Sequence, residues 1–236
     1  STGAHRIFRP LKAWIAVYRV RPVTVKSVLA VLQGLISSMG HAVSEGFRRS
    51  SDAFMEHDRE LASEVIAGDQ QINALCSQIE EQCFVTIALR QPVANDLRSL
   101  LANMHIAQEY ERIGDYAADI ARKVHDMQAM PKKECKDHFQ LMIDLCMLML
   151  DQVNALLENP DEQGARVLAA EDDKVDEEES VLVDSLISQM RKDPDSIESC
   201  VHAISVAHKM ERIADRVTNI AERIVFSTSG EMVELG

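Results

Sequence analysis

The sequence is poor in the residues that interrupt helices and in those that fill β-sheet cores. Only 4% of its 236 residues are aromatic, and six prolines and nine glycines leave long uninterrupted stretches. Strand-like alternation bounded by turn residues is missing, whereas apolar residues recur at steps of three and four. These features predict an all-α fold and exclude a fold built on a sheet.

Cysteine and long apolar runs are also scarce. The five cysteines are odd in number and show no CxxC spacing, which indicates neither a disulfide framework nor a zinc knuckle. The longest apolar runs, 28–36 and 145–150, are shorter than the roughly 18 residues that a bilayer span needs. We therefore expect no integral membrane segment, no signal peptide and a cytoplasmic location.

Negative charge is absent from the first part of the chain and abundant afterwards. Residues 1–44 contain six Lys or Arg and no acid, and the remainder carries 19 basic against 38 acidic residues. Such an acidic body disfavours phosphate backbones and favours cations or basic protein surfaces. We exclude nucleic-acid binding on this ground.

Proline positions divide the chain into helices. Pro92, Pro131, Pro160 and Pro194 separate periodic stretches whose interiors contain no proline, and Gly68 supplies one further break. The resulting prediction is two tandem three-helix bundles. The six predicted helices are 24–66, 69–90, 92–129, 132–158, 161–191 and 195–227.

An internal duplication is the most informative feature of the chain. Glu111-Arg-Ile-Gly-Asp115 returns as Glu211-Arg-Ile-Ala-Asp215, and the stretches 111–121 and 211–221 share six of eleven residues. Carboxylates at i and i+4 lie on one helical face and repel each other. A costly pair that is present in both copies is therefore a candidate for function.

Further acidic pairs precede the repeat in each half. Asp172 and Asp176 form one, and Asp69 forms the other with Asn73, an amide in place of the second acid. The helix register places Glu111, Asp115 and Asp119, and likewise Glu211 and Asp215, on the outer face. Carboxylates from adjacent helices can hold hard cations there. The predicted metal ligands are Glu111, Asp115, Asp119 and Asp69 in the first half and Glu211, Asp215, Asp172 and Asp176 in the second.

A simpler interpretation stays open, in which the acids merely solvate a helix face and Arg112 and Arg212 compensate them. His208, three residues before Glu211, matches Gln108 in the first half and is at best an auxiliary ligand. A di-iron bundle would need Glu-x-x-His on two helices, a spacing that no histidine of this chain provides.

These residues resemble the PhoU family of phosphate-signalling regulators. The resemblance covers about residues 30–227, and it is most specific in the two Glu-Arg-Ile-x-Asp segments and in Arg90-Gln-Pro-Val-Ala-Asn-Asp96-Leu-Arg98. It implies a first bundle at 30–130 and a second at 131–227, and it leaves outside a basic N-terminal arm at 1–29, which departs from the family, and a C-terminal tail at 228–236. Members of the family carry E/DxxxD motifs in both halves, and some bind multinuclear iron or zinc clusters on the outer bundle surface.

The resemblance also implies a function. It indicates a homodimeric, non-enzymatic regulator that restrains phosphate uptake and starvation signalling, and that is peripheral to the inner membrane only through its partners. The expected partners are the ATPase subunit of a phosphate ABC transporter and a sensor histidine kinase. Iron, zinc, manganese or magnesium would be the metal, with no organic cofactor. The expected partner-binding residues are Arg90, Asp96, Arg98, Arg112 and Arg212.

Two alternatives remain at this stage. Clustered carboxylates could hold metals that activate water in a multi-metal hydrolase or oxidase, although no P-loop or GxSxG motif accompanies them. The acidic faces could instead dock basic helices without any metal. The basic arm around Trp14 could touch anionic lipid or simply pack against the protein.

Overall fold

The computed structural model describes residues 24–127 and 133–235, and within these ranges the chain is helical with no strand. The predicted all-α class is confirmed. The basic arm up to residue 23 and the predicted bundle boundary at residue 130 lie outside the described residues. The helices are α1 Val25–Glu56, α2 Arg59–Arg90, α3 Ala94–Asp126, α4 Lys133–Glu158, α5 Glu162–Ala169, α6 Asp172–Lys192 and α7 Ile197–Ser229, the last preceded by a 3₁₀ turn, Pro194–Ser196.

The predicted break at Gly68 is wrong, because this glycine lies inside α2. The chain turns eleven residues earlier, where His57 adopts a left-handed conformation with φ of 55°. Asp58 then caps α2 by accepting hydrogen bonds from the backbone amides of Glu60 and Leu61. A side-chain cap of this kind satisfies amide groups that have no partner in the helix, so it fixes a helix start more firmly than a glycine.

The predicted helix 161–191 is interrupted once. It divides into α5 and α6 at Ala170 and Glu171, without a proline or glycine at the break. The first turn of α6 contains Asp172 and Asp173 directly after Glu171. Acidic groups are stabilised at the positive end of a helix, so a new N-terminus here favours these carboxylates more than a helix interior would.

The helices form two sets of three that share one hydrophobic core. In the first set α2 and α3 pack together and both contact α1, and in the second α4, α6 and α7 pack together, with α5 covering α7. The sets join through α3 with α7 and through α1 with α4. The predicted packing faces are confirmed as buried. They consist of Tyr110, Ile113, Ala117, Ile120 and Val124 on α3 and of Met210, Ile213, Val217, Ile220 and Ile224 on α7.

A buried polar junction links the two sets where α1, α3 and α4 meet. The hydroxyl of Tyr110 donates to the amide oxygen of Asn154 at 2.5 Å, and the amide nitrogen of Asn154 donates to Ser44 at 3.1 Å. The helices approach this closely because α1 presents Gly40 there. A β-carbon on Gly40 would lie 2.3 Å from the Asn154 oxygen and 2.9 Å from the Tyr110 hydroxyl.

Two helices, α1 and the 135–158 part of α4, have the length and mean hydropathy that a membrane span requires. In each of these two helices, 33% of the most apolar 18-residue stretch is buried inside the protein. The core helix of a bundle passes the same test, so the composition of these helices is weak evidence for a membrane span.

Gly40→Ala should destabilise the protein, because a methyl group there forces apart the hydrogen bonds between Tyr110, Asn154 and Ser44. We expect a loss of about 2–4 kcal/mol in the free energy of unfolding, measured by urea denaturation. Gly34→Ala is the matched control on the same helix, since no atom lies within 4 Å of its added methyl group. The control should gain about 0.5–1 kcal/mol from the better helix propensity of alanine. Equal effects of the two substitutions would contradict this account of the junction.

Candidate functional site

The acids of each half meet in a groove between two helices. We call the groove of α2 and α3 the first acidic cluster and that of α6 and α7 the second. The first contains Asp69, Asn73, Glu80, Glu111 and Asp115, with Asp119 at its edge. The second contains Asp172, Asp176, Glu179, Glu211 and Asp215.

The predicted orientation of the acids on the outer face needs a correction. Asp115 and Asp176 are exposed, but Glu111, Glu211 and Asp172 are half-buried. The prediction considered only one buried stripe of apolar residues on each of α3 and α7. In the structure α3 also packs against α2, and α7 also packs against α6. Those neighbours cover the flank where the acids lie, so the carboxylates are at groove edges and not on a free outer surface.

Repulsion among carboxylates is strongest in the second cluster. Burial, together with the negative charges of Asp176, Asp215 and Glu211, raises the pKa of Asp172 to about 7. Burial and Asp215 also raise the pKa values of Asp176 and Glu211. The Oδ1 atom of Asp172 is buried and accepts no hydrogen bond. Two arginines contact this cluster: Arg212, which is half-exposed, is 3.4 Å from both Glu211 and Asp215, and Arg216 is 3.6 Å from Asp215.

The first cluster is more fully compensated. The amide of Asn73 donates to Asp69 at 3.0 Å, and Gln108 donates to Glu80 at 2.8 Å. Burial still raises the pKa of Glu111, and the charges of Asp115 and Asp69 add to that shift. The amide at position 73 thus replaces one like-charge repulsion by a hydrogen bond.

Asp119 lies apart from the other predicted ligands. It forms ion pairs with Arg122 at 2.5 Å and with Lys209 of α7 at 2.8 Å. Burial acts to raise the pKa of Asp119, but the hydrogen bonds and charges of Lys209 and Arg122 outweigh it, and the net shift is downward. Asp119 is therefore engaged in joining α3 to α7.

The donor set of both clusters suits hard cations, which prefer oxygen ligands. The buried unpaired oxygens of Asp69 and Asp172 are consistent with such a ligand. Among the described residues, however, no three His, Cys, Asp or Glu side chains are arranged so that they could hold a metal ion. A cation would have to draw the carboxylates together by changes of side-chain rotamer.

Sequence reasoning missed Glu179 as a member of the second cluster. It forms an ion pair with His208, and its charge raises the pKa of Glu211. In the first half Gln108 takes the position of His208 and binds Glu80 instead. The contact between His208 of α7 and Glu179 of α6 had one weak signal in the sequence: His208 lies one hundred residues after Gln108, at the corresponding position of the repeat.

Comparisons with known proteins agree with this repeated arrangement. A family model described as "PhoU domain" matches the chain twice, at residues 36–124 and 139–224. The chain belongs to the PhoU family. A PhoU homolog from Caulobacter vibrioides is 35% identical over 212 residues, covering 88% of this chain and 92% of the relative. The PhoU protein of Serratia marcescens is 35% identical over 204 residues, covering 84% and 82%.

Solved PhoU structures have the same fold. The regulatory protein PhoU from Streptococcus pneumoniae superposes with a TM-score of 0.83 at 27% identity, over 90% of this chain and 100% of that one. PhoU from Pseudomonas aeruginosa gives a TM-score of 0.84 at 26% identity, over 88% and 100%. The tandem-bundle architecture predicted for this PhoU-family chain is therefore confirmed.

The corner between α2 and α3 in this PhoU-family chain is strained and apolar. Gln91 and Ala94 adopt left-handed conformations with φ of 46° and 47°, and Val93 between them is 77% exposed. Non-glycine residues in this region cost roughly 1 kcal/mol each, and such strain concentrates at functional sites.

The predicted partner-binding residues differ in how far they face outward. Arg90 is exposed and Asp96 is half-buried. Arg98 hydrogen-bonds Asn95 and lies against Gly230, where an added β-carbon would clash with its guanidinium group. Arg98 therefore helps to hold the end of α7 against α3.

Arg112 and Arg212 lie over the two acidic clusters. Arg112 is 3.1 Å from Glu109 and lowers the pKa of Glu111. Arg212 contacts both repeat acids of the second half. Both arginine side chains remain about half-exposed, at 51% and 55%, so they are accessible to a partner.

Asp172→Asn should flatten the dependence of stability on pH in metal-free protein. With a folded-state pKa of about 7 against an ordinary value of 3.8, the Asp172 carboxyl favours folding below about pH 4. That contribution is lost as the pH rises through 7, whereas asparagine has no charge to bury. We expect the variant to be about 1–2 kcal/mol more stable than the wild type at pH 8 after allowance for solvent screening.

Urea denaturation from pH 4 to pH 8 in the presence of a chelator measures this effect. Asp184→Asn is the control, because it removes the same charge from an exposed position of the same helix, α6. A parallel shift of both variants, or no gain at pH 8 for Asp172→Asn, would contradict the burial of Asp172 among like charges.

Proposed function

We propose that this protein is a regulator of phosphate uptake and phosphate-starvation signalling that acts by contact with other proteins. The match of both halves to the PhoU domain supports this role most directly. The relatives that support it are named as accessory proteins of the phosphate-specific transport system, and one solved neighbour as a phosphate transport system regulatory protein. No comparison favours the multi-metal enzyme alternative.

The partners in this proposal are the ATPase subunit of a phosphate ABC transporter and a sensor histidine kinase. The α2–α3 corner is the contact surface that the geometry supports best. It offers exposed Val93 and Leu89 beside Arg90, and its backbone is held in an unusual conformation. An exposed apolar side chain on a preorganised loop gives a partner buried area with little ordering cost.

Val93→Glu should abolish capture of these partners without unfolding the protein. Glutamate at the centre of an apolar contact reduces the apolar area that binding buries, and its carboxylate must lose water when the partner binds. We therefore expect at least a tenfold loss of affinity. Tagged variants are co-purified from cells grown with and without phosphate, and captured proteins are identified by mass spectrometry.

Val167→Glu is the matched control, since Val167 is also an exposed valine, at 56%, but lies on α5. Circular dichroism shows whether both variants keep the wild-type helix content. Full capture by Val93→Glu, or equal loss in both variants, would remove the corner from the proposal.

We also include a cation at the acidic clusters. In the second cluster Asp172, Asp176, Glu211 and Asp215 would hold it, and in the first Asp69, Glu111 and Asp115. Iron, zinc, manganese and magnesium are the candidates. A bound cation would supply charge neutralisation, which relieves the repulsion that raises the pKa of Asp172. The grooves would then present a less negative surface to a partner.

Glu211→Gln should lower the amount of metal bound at equilibrium, because it removes one anionic ligand from the most repulsive cluster. Protein is dialysed against each metal ion alone, and the content is measured by plasma mass spectrometry. Glu177→Gln is the control, since this exposed glutamate of α6 lies outside the predicted ligand set. We expect a loss of at least tenfold in affinity for Glu211→Gln and no change for the control.

Unchanged metal content in Glu211→Gln would reject the cation. If demetallated wild type also captured its partners at full affinity, the metal-free interaction module would be favoured instead. Turnover of phosphate esters by the metal-loaded protein would restore the enzyme alternative.

A further inference from the structure

The contact between α3 and α7 contains two polar contacts that the duplication relates to each other. In one, Glu109 of α3 accepts hydrogen bonds from Arg216 at 3.2 Å and from Asn219 at 3.3 Å, both on α7. In the other, Lys209 of α7 binds Asp119 of α3 at 2.8 Å and lies 5.0 Å above the ring of Tyr116. Both contacts cross between the two sets of helices.

Corresponding positions in the two copies differ by one hundred residues. Residue 109 of α3 contacts residues 216 and 219 of α7. Its counterpart, residue 209 of α7, contacts residues 116 and 119 of α3. The two contacts are therefore the same geometric link made twice, as a pseudo-twofold arrangement requires. Their charges are opposite. Glutamate stands at 109 where lysine stands at 209, and the facing charges are Arg216 and Asp119.

The apolar part of this surface does not distinguish the two halves. Ile113 and Ile213 correspond, as do Ala117 and Val217, and all four are buried. A buried surface that is nearly the same on α3 and on α7 would accept either helix as its partner. Two kinds of pairing are therefore available to a duplicated protein: its two different halves can pair within one chain, or like halves can pair between two chains.

We propose that these opposed charges direct α3 to pair with α7 and prevent α3 from pairing with α3, or α7 with α7, of a second copy. In a like pairing with this geometry Glu109 would face Asp119 and the π face of Tyr116, and both contacts are repulsive. Lys209 would likewise face Arg216. Selectivity of this kind comes from repulsion in the wrong pairing as well as attraction in the right one.

The burial of the charges makes the discrimination effective. The side chains of Glu109 and Arg216 are only 14% and 18% exposed, and those of Lys209 and Asp119 are 29% and 36% exposed. A like-charge pair at such a depth is screened less by salt than a pair on an open surface.

Neighbouring charges on the same helices do not cancel this preference. Arg112 also binds Glu109, Arg122 also binds Asp119, and Asp215 is 3.6 Å from Arg216. Each of these groups lies on the helix of the residue that it compensates. It would therefore be present in a like pairing as well as in the native one, and it cannot favour the native pairing over the other.

The double variant Glu109→Lys with Lys209→Glu tests the proposal. It makes both contacts within the chain repulsive and makes α3 complementary to α3, and α7 to α7, of a second copy. The full chain is compared with the wild type by light scattering over a hundredfold range of protein concentration. We expect its mass to rise with concentration above that of the wild type.

The matched control is Glu109→Gln with Lys209→Gln, which removes the charges without creating a new complementarity. Its mass should follow that of the wild type at every concentration. If the charge-exchanged variant also followed the wild type, or if the neutral control assembled to the same extent, the proposal would be overturned.

A second measurement covers the case in which the charge-exchanged variant does not fold. Glu109→Lys alone should lower the Tm by about 4 °C or more, and adding Arg216→Glu should recover part of that loss, because opposite charges again face each other. Thermal unfolding of the wild type, the two single variants and the double variant gives the coupling. Additive effects of the two substitutions would overturn the proposal.

Discussion

The antiparallel contact of α3 with α7 is the interaction on which the rest of the molecule depends. Each of these helices buries one face in the shared core, and each carries the repeated acidic motif on the adjacent flank. Because the contact joins the two sets of helices, it fixes where both acidic clusters lie. The ion pairs at positions 109 and 209 lie at the edge of this same contact.

Electrostatic repulsion inside the grooves is an unfavourable interaction that the fold tolerates. Packing of α6 against α7 removes water from carboxylates that repel each other, and the raised pKa of Asp172 reflects both effects. The two halves handle this repulsion differently. The first half offsets it with amide donors and cations, including Lys209 from the other half, whereas the second half contains the carboxyl group whose pKa is raised to about 7. A buried carboxylate oxygen without a hydrogen-bond partner remains in both halves, on Asp69 and on Asp172.

Duplication explains why the molecule has two similar grooves and also why they are not equivalent. When two copies of a unit lie in one chain, each copy packs against the other. A substitution in one half therefore changes a contact that both halves share. Glu109 and Lys209 show this directly, since the differences between the copies at 109 and 209, 116 and 216, and 119 and 219 decide which charges each half presents to the other.

The class of fold, the family and the buried faces of α3 and α7 could all be predicted from the sequence. These depend on the period of apolar residues and on proline positions, which act within one helix and can be counted along the chain. The turn at Asp58 could have been predicted in the same way, because an aspartate before a helical stretch is a recognisable cap. Gly68 lies inside α2, so a single glycine was not a reliable sign of a helix boundary here.

The pairing of the acids could not be predicted in this way, because it depends on the packing of the helices. The ion pairs of Glu179 with His208 and of Asp119 with Lys209, like the half-burial of Glu111 and Asp172, depend on how close neighbouring helices lie and on which rotamers then fit. A helical period gives the direction of a side chain from its own axis. It does not give the distance to the next helix, and the charge that a carboxylate meets depends on that distance.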